Sequence, residues 1–218
     1  MATWIAHLRI AENILRNGRG LDKTAFVSGN IAPDAGVPNE DWSIFSPPSD
    51  ITHWKDETGK INADNFFNRY LTCPDSQKDI EYFSFLLGYY THLLADIEWS
   101  KFYSKKKEEP LYKENLGKDP KFIWRIKEDW YGQDFEYLKK NEQSIFFTCF
   151  INITEVKDYL DYFPKGAFTN RFKYIREMYL NNYKKSEREF IYLTRQEMDD
   201  FVESAASSIE SKLSQKLI

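Results

Sequence analysis

The chain has 218 residues, 42% hydrophobic and 17% aromatic, with a formal net charge of −4, enough length for one sizeable core, so a single domain over residues 1–218 is expected. Acids and bases are interspersed, and the short run Lys105-Lys106-Lys107 beside Glu108 and Glu109 reads as a solvated helix end, so no nucleic-acid partner is expected. No apolar run approaches the ~18 residues of a membrane span, and Cys73 and Cys149, without CxxC spacing, read as two reduced thiols.

Along the chain the periodicity is helical. Trp4, Ile5, Leu8, Ala11, Ile14 and Leu15 recur at spacings of three and four and form one face of a helix ending near Gly18 or Gly20. His7, Arg9 and Glu12 interrupt that apolar stretch and break any secretory core, so a cytoplasmic location is expected. Asp22 is a cap for a short helix through Thr24 to Ser28. Four prolines at 33, 38, 47 and 48 make 32–48 a structured loop, with Gly29 and Gly36 read as conformationally permissive points around Asp34.

A helix is expected over 62–71, then a long one from about Asp79 to Lys105. Its apolar residues are nearly continuous from Tyr82 to Leu94, which makes it the central buried element. Gly88 inside it costs roughly 1 kcal/mol of helix propensity, and close approach of another backbone would explain it. Further helices are read over 122–138 and 168–183. The run from Ser144 to Ile151 fits helix or buried turn, and Thr194 to Glu197 is a capping box opening the last helix. No strand-turn-strand pattern is visible, and the fold class expected is all-α. With 17 Phe, 14 Tyr and 6 Trp, the core should be aromatic.

The chemistry concentrates in few residues. There are only three histidines, His7 in TWIAHLRIAE, His53 in DITHWKD and His92 in GYYTHLLADIEW. His92 and Asp96 are one turn apart on an otherwise apolar helix, so one ion can reach both. A buried carboxylate there needs a partner. Asp34 stands in GNIAPDAG. Each signal has a bland explanation taken singly: Asp96 paired with a core arginine, His7 and His92 satisfied in the core, His53 and Asp34 ordinary loop residues. Together, three imidazoles and two carboxylates form a donor set that zinc accepts.

The order His7, GNIAPD with Asp34, His53-Trp54 and GYYTHLLADIEW resembles the zinc-dependent phospholipase C family, and is similar to the catalytic region of glycosylphosphatidylinositol-specific phospholipase D. More distantly, single-strand-specific zinc nucleases share the helical fold. The resemblance covers roughly the first half of the chain and implies one zinc held by Asp34, His53, His92 and Asp96. It also implies a second at His7 with Asp96 bridging, and Asp34 as the base toward the attacking water. The family's further zinc uses later histidines, which this chain lacks; Glu98, Asp129 and Asp134 are the carboxylates considered for rebuilding it. Secreted members chelate zinc with an N-terminal tryptophan amine, whereas Trp4 here follows Met-Ala-Thr, so a weaker second ion is expected. The function implied is a phospholipase C-like phosphoester hydrolase with one or two zinc ions, or another divalent metal. Its substrate would be a small phosphoester or a phospholipid headgroup. The alternatives are a phosphatase or nucleotidase on the same site, or a non-catalytic helical protein with a structural metal. The sequence leaves the oligomeric state open.

Overall fold

Capping residues visible in the sequence set the first two helices. Thr3 caps α1 (Trp4–Leu15), its hydroxyl accepting the Ala6 N–H at 3.4 Å, and Asp22 caps α2 (Lys23–Ile31), accepting the Ala25 N–H at 2.8 Å. The computed structural model describes residues 1–74, 77–184 and 189–217. After α2 the backbone tightens into a 3₁₀ turn, Ala32–Asp34. A two-residue antiparallel pair follows, β1 (Val37–Pro38) with β2 (Phe45–Ser46). Next come α3 (Ser49–Thr52) and α4 (Ala63–Phe66), the latter continued by a π-helical turn, Phe67–Leu71.

The long central helix is α5 (Ile80–Lys106), capped by Asp79. Beyond it lie α6 (Pro110–Asn115), α7 (Phe122–Lys140), α8 (Ile145–Thr148) with a 3₁₀ turn at Phe150–Asn152, α9 (Ala167–Asn182) and α10 (Arg195–Lys216). The capping box at Thr194 and Glu197 forms in both directions. The fold is all-α, as the periodicity predicts.

α5 is buried without interruption from Ser84 to Asp96. It crosses α2 at a close backbone approach, where a β-carbon on Gly88 would overlap the Phe26 carbonyl oxygen and one on Gly29 would overlap that of Phe85. This is the close approach that Gly88 predicted, and it aligns the helix that carries Asn30, and leads into the turn with Asp34, against the helix that carries His92 and Asp96. α1 packs on both helices, and α10 packs on α1 and α5. The core is aromatic: Trp99 meets Trp130 and Phe201 edge-on at 5.1 and 4.9 Å, and Phe66 stacks on Tyr89 at 4.6 Å. Each such buried ring contributes roughly 1.5–3 kcal/mol.

Four readings are corrected. The loop 32–48 contains a strand pair, too short and too rich in proline to leave an alternating pattern. Gly29 and Gly36 have ordinary negative φ; their role is steric, since a β-carbon on Gly36 would sit 2.8 Å from the Pro47 carbonyl oxygen. Lys106 is not solvated. Its ammonium lies 2.8 Å from Glu109 and 2.7 Å from Glu197, tying α5 to the first turn of α10. The short helix α6, opened by Pro110, falls where no helix is predicted. Among the described residues no disulfide joins Cys73 and Cys149.

Candidate metal centre

Four elements near the α2–α5 crossing deliver the five side chains. His7 comes from the buried face of α1, His92 and Asp96 from α5, and Asp34 and His53 from the ends of the 3₁₀ turn and of α3. Their polar atoms converge. His53 Nε2 lies 3.3 Å from His92 Nε2, 3.4 Å from Asp34 Oδ1 and 3.4 Å from Asp96 Oδ2. His92 Nε2 is 3.5 Å from Asp96 Oδ2, and His7 Nε2 is 3.3 Å from Asp96 Oδ1. A tetrahedron of N and O ligands around zinc, with bonds of about 2.1 Å, has edges of about 3.4 Å. Direct hydrogen bonds between such groups are shorter, near 2.9 Å. The spacing therefore fits donors arranged around a common cation better than donors bonded to one another.

Two groups of ligand atoms lie within 4.8 Å of one another: Asp34, His53 and His92, and His7, His92 and Asp96. His92 belongs to both. Asp96 presents Oδ2 to His53 and His92 and Oδ1 to His7, so one carboxylate faces both groups with different oxygens. The Ala2 N–H also donates to Asp96 Oδ1 at 2.8 Å. Both ring nitrogens of His7 and Oδ2 of Asp96 are buried without a hydrogen-bond partner among the described residues. Orphaned buried polar atoms are rare in native proteins; divalent ions with this donor preference would satisfy His7 Nε2 and Asp96 Oδ2, and His7 Nδ1 is the one atom they do not account for.

The surrounding hydrogen bonds aim the rings. His92 Nδ1 donates to the Asn30 carbonyl at 2.8 Å; a carbonyl only accepts, so the proton sits on Nδ1 and the Nε2 lone pair faces the cluster. His53 Nδ1 meets the Thr52 hydroxyl at 2.9 Å. Trp4 Nε1 donates to Asp34 Oδ2 at 2.8 Å, fixing that carboxylate from the α1 side.

Charge follows position. Burial pulls the His7 pKa down to about 4, helped by His92 and opposed by Asp96, so His7 is neutral near pH 7. For His92 burial also acts downward, but hydrogen bonding and charge from Asp96 and Asp34 outweigh it and the net shift is up. Burial raises Asp96 and Asp34, yet the neighbouring histidines overcome it and hold both below the usual carboxylate range. Ionised carboxylates and a neutral imidazole are the states in which these groups bind a metal.

Glu98, Asp129 and Asp134 lie outside both groups. Glu98 meets Lys101 at 2.8 Å and Ser208 at 3.3 Å, and Asp129 accepts the N–H groups of Ile191, Tyr192 and Leu193. Asp134 accepts the Thr3 hydroxyl at 2.6 Å and the Tyr179 hydroxyl at 2.5 Å. Sequence reasoning did not assign the supporting roles of Trp4, Asn30 and Thr52, because an indole on an apolar helical face and a backbone carbonyl leave no pattern.

An all-α fold with a buried cluster of histidines and aspartates defines the class as a helical protein with a site suited to a divalent metal. Residues 6–99 match the model of the family described as zinc dependent phospholipase C, and His7, Asp34, His53, His92 and Asp96 all fall inside this segment. The match ends within α5, so less than half of the 218 residues is covered. None of the curated proteins and none of the solved structures matches the chain. No helix among the described residues is long and apolar enough to cross a membrane.

Proposed function

We propose that residues 1–218 form one catalytic domain that hydrolyses phosphoesters with metal ions held by His7, Asp34, His53, His92 and Asp96. The observation that carries this reading is the convergence of their ligand atoms at 3.3–3.5 Å, inside the segment that matches the zinc-dependent phospholipase C family. Asp34, His53, His92 and Asp96 would hold the first ion, and His7 with Asp96 would hold another. Bound there, a divalent metal acidifies water and polarises a phosphoryl oxygen.

The chain's own groups do the rest. The Asn30 carbonyl and Trp4 indole hold His92 and Asp34 in register, so little reorganisation is needed as charge develops. Asp34 is the only one of the five whose side chain has noticeable exposure, 10%. It is the residue we assign to accept the proton of the attacking water. The substrate class is a small phosphoester or a phospholipid headgroup.

The deep burial of the other four side chains favours a second reading, a closed structural metal that does no chemistry. One experiment separates the two. Purified protein is analysed for zinc and offered a phosphodiester and a phosphomonoester panel, with and without added zinc or manganese. About one to two zinc ions per chain with metal-dependent turnover supports the hydrolase; stoichiometric zinc with no turnover on any ester selects the structural role; no binding of either metal removes both.

A further inference from the structure

Arg171 lies on α9, in the part of the chain that the family match does not cover. It is 7% exposed. A guanidinium keeps its charge at all ordinary pH and carries five N–H donors, and burying one without a carboxylate is costly. Among the described residues Arg171 makes one hydrogen bond, from Nη2 to the Gly36 carbonyl, and forms no ion pair. The faces of Trp42, Phe45 and Tyr174 surround its Cζ at 5.4, 5.6 and 5.7 Å. Cation–π contacts of this kind offset part of the burial cost, and they leave donors unspent.

The guanidinium stands beside the candidate centre. Gly36, which it grips, is two residues from Asp34. Trp4, whose indole donates to Asp34, meets Tyr174 edge-on at 6.3 Å, and Tyr174 in turn lies against Trp42 at 4.9 Å. Burial pulls the Arg171 pKa down and the Asp34 carboxylate acts against it, so the two charges sense each other without forming a pair. A fixed cation beside a metal cluster, held by a backbone carbonyl and three rings, is the arrangement that anion recognition needs.

We propose that Arg171 is a phosphate-binding residue of this site, its N–H fork receiving a non-bridging oxygen of the phosphoryl group presented to the His/Asp cluster. This rests on the phosphoester reading above. The planar fork matches phosphate bidentately, which an ammonium does not, and in phosphoryl transfer such positioned charge is much of what a protein contributes. The aromatic box fixes the plane of the fork, and the Gly36 carbonyl fixes its rotation.

The test uses zinc-loaded full-length wild type, Arg171→Gln and Arg171→Lys, with inorganic phosphate as the probe. Gln keeps a donor for the Gly36 carbonyl and drops the charge; Lys keeps the charge and drops the fork. Calorimetry should show phosphate binding weakened at least ~10-fold in R171Q, with zinc content and helical circular dichroism at wild-type level. On bis(4-nitrophenyl) phosphate, kcat/KM should fall ~10- to 100-fold. Wild-type phosphate affinity and kcat/KM in folded, zinc-bound R171Q would reduce Arg171 to a clamp on the loop and overturn the proposal. Should R171Q not fold, R171K decides: several-fold weaker phosphate binding supports it, and unchanged binding overturns it. Phosphate binding that depends on Arg171 in a protein that turns over no ester leaves this inference standing and removes the hydrolase reading. Turnover indifferent to Arg171 does the reverse.

Discussion

His92 and His7 lie face to face, ring centroids 3.8 Å apart and planes within 4°, yet the two sides of the cluster are built differently. On the His92 side a carbonyl fixes the tautomer, His53 meets a threonine hydroxyl, and a tryptophan N–H holds Asp34. On the His7 side neither ring nitrogen has a hydrogen-bond partner among the described residues, and the support comes from a backbone N–H on Asp96. Outer partners that orient ligands are worth about 10- to 100-fold in metal affinity. The contrast teaches that two sites can share a carboxylate and still differ in strength, because preorganisation is local to each ring.

The largest effect should come from His92, which belongs to both groups. In His92→Ala, zinc content should fall to near zero on both sides and hydrolysis should drop by more than the about 100-fold expected for losing an outer partner. The helical fold should survive, since the core is held by buried aromatics, but zinc should no longer raise the melting temperature. For wild type that linkage is worth about 2.7 kcal/mol at a hundredfold excess over Kd. Wild-type zinc in purified, folded His92→Ala would break the assignment of both sites at once.

His7→Ala should split them. The first ion stays bound, while the rise in turnover on adding zinc or manganese disappears, a loss of roughly 10- to 100-fold under saturating metal. Titration should show two classes of ion in wild type and one in the variant. If the variant keeps the stimulated rate, the site works with a single metal and the asymmetry has no functional meaning.

How much of this could be read beforehand depends on distance along the chain. The pairing of His92 with Asp96 is one helical turn, and the caps at Asp22 and Thr194 are three residues long, so local spacing exposes them. Gly88 announced a close approach because a glycine in a buried helix needs a reason, though its partner helix could not be named. Trp4 sits 30 positions from Asp34 and Arg171 sits 135 from Gly36. Such contacts are set by how helices pack, and a sequence pattern records that a face is buried without recording what it meets. Lys106 is the same case: its helix end is legible, its bridge to Glu197 91 residues away is not.

A smaller effect should follow from Trp4→Phe, which keeps a smaller aromatic ring in place and removes the N–H that donates to Asp34. A hydrogen bond to a charged group contributes about 1.5–3 kcal/mol. Shared between folding and metal binding, it should weaken the first ion roughly 10-fold in competition with a chelator and leave the second ion's dissociation constant unchanged. Equal weakening of both ions would show that α1 supports the cluster as a whole and would erase the distinction between the two sides.

The last prediction concerns the strut under the His7 side and should leave the first ion untouched. Asp134 accepts hydroxyls from Thr3 and Tyr179, and Thr3 is the cap of α1 next to Ala2, whose N–H reaches Asp96. Burial pushes the Asp134 pKa up from 3.8 to about 7, against the pull of both hydroxyls and of Arg9. Between those two pH values the folded protein holds a proton that the unfolded chain has released. Stability therefore declines as pH rises through this window and levels off above it, by about 4 kcal/mol at most. Asp134→Asn has no proton to lose and keeps an oxygen for Thr3 and a donor for Tyr179. The difference in unfolding free energy between metal-free Asp134→Asn and wild type should therefore grow in favour of the variant from pH 4 to pH 7, which urea titrations at several pH values measure directly. Taking the difference cancels the histidines and aspartates of the cluster, which titrate equally in both proteins. A difference that stays flat across the window would mean that Asp134 is ionised in the fold, its charge carried by the two hydroxyls and Arg9, and that the α1 cap is anchored by a carboxylate and not by a carboxylic acid.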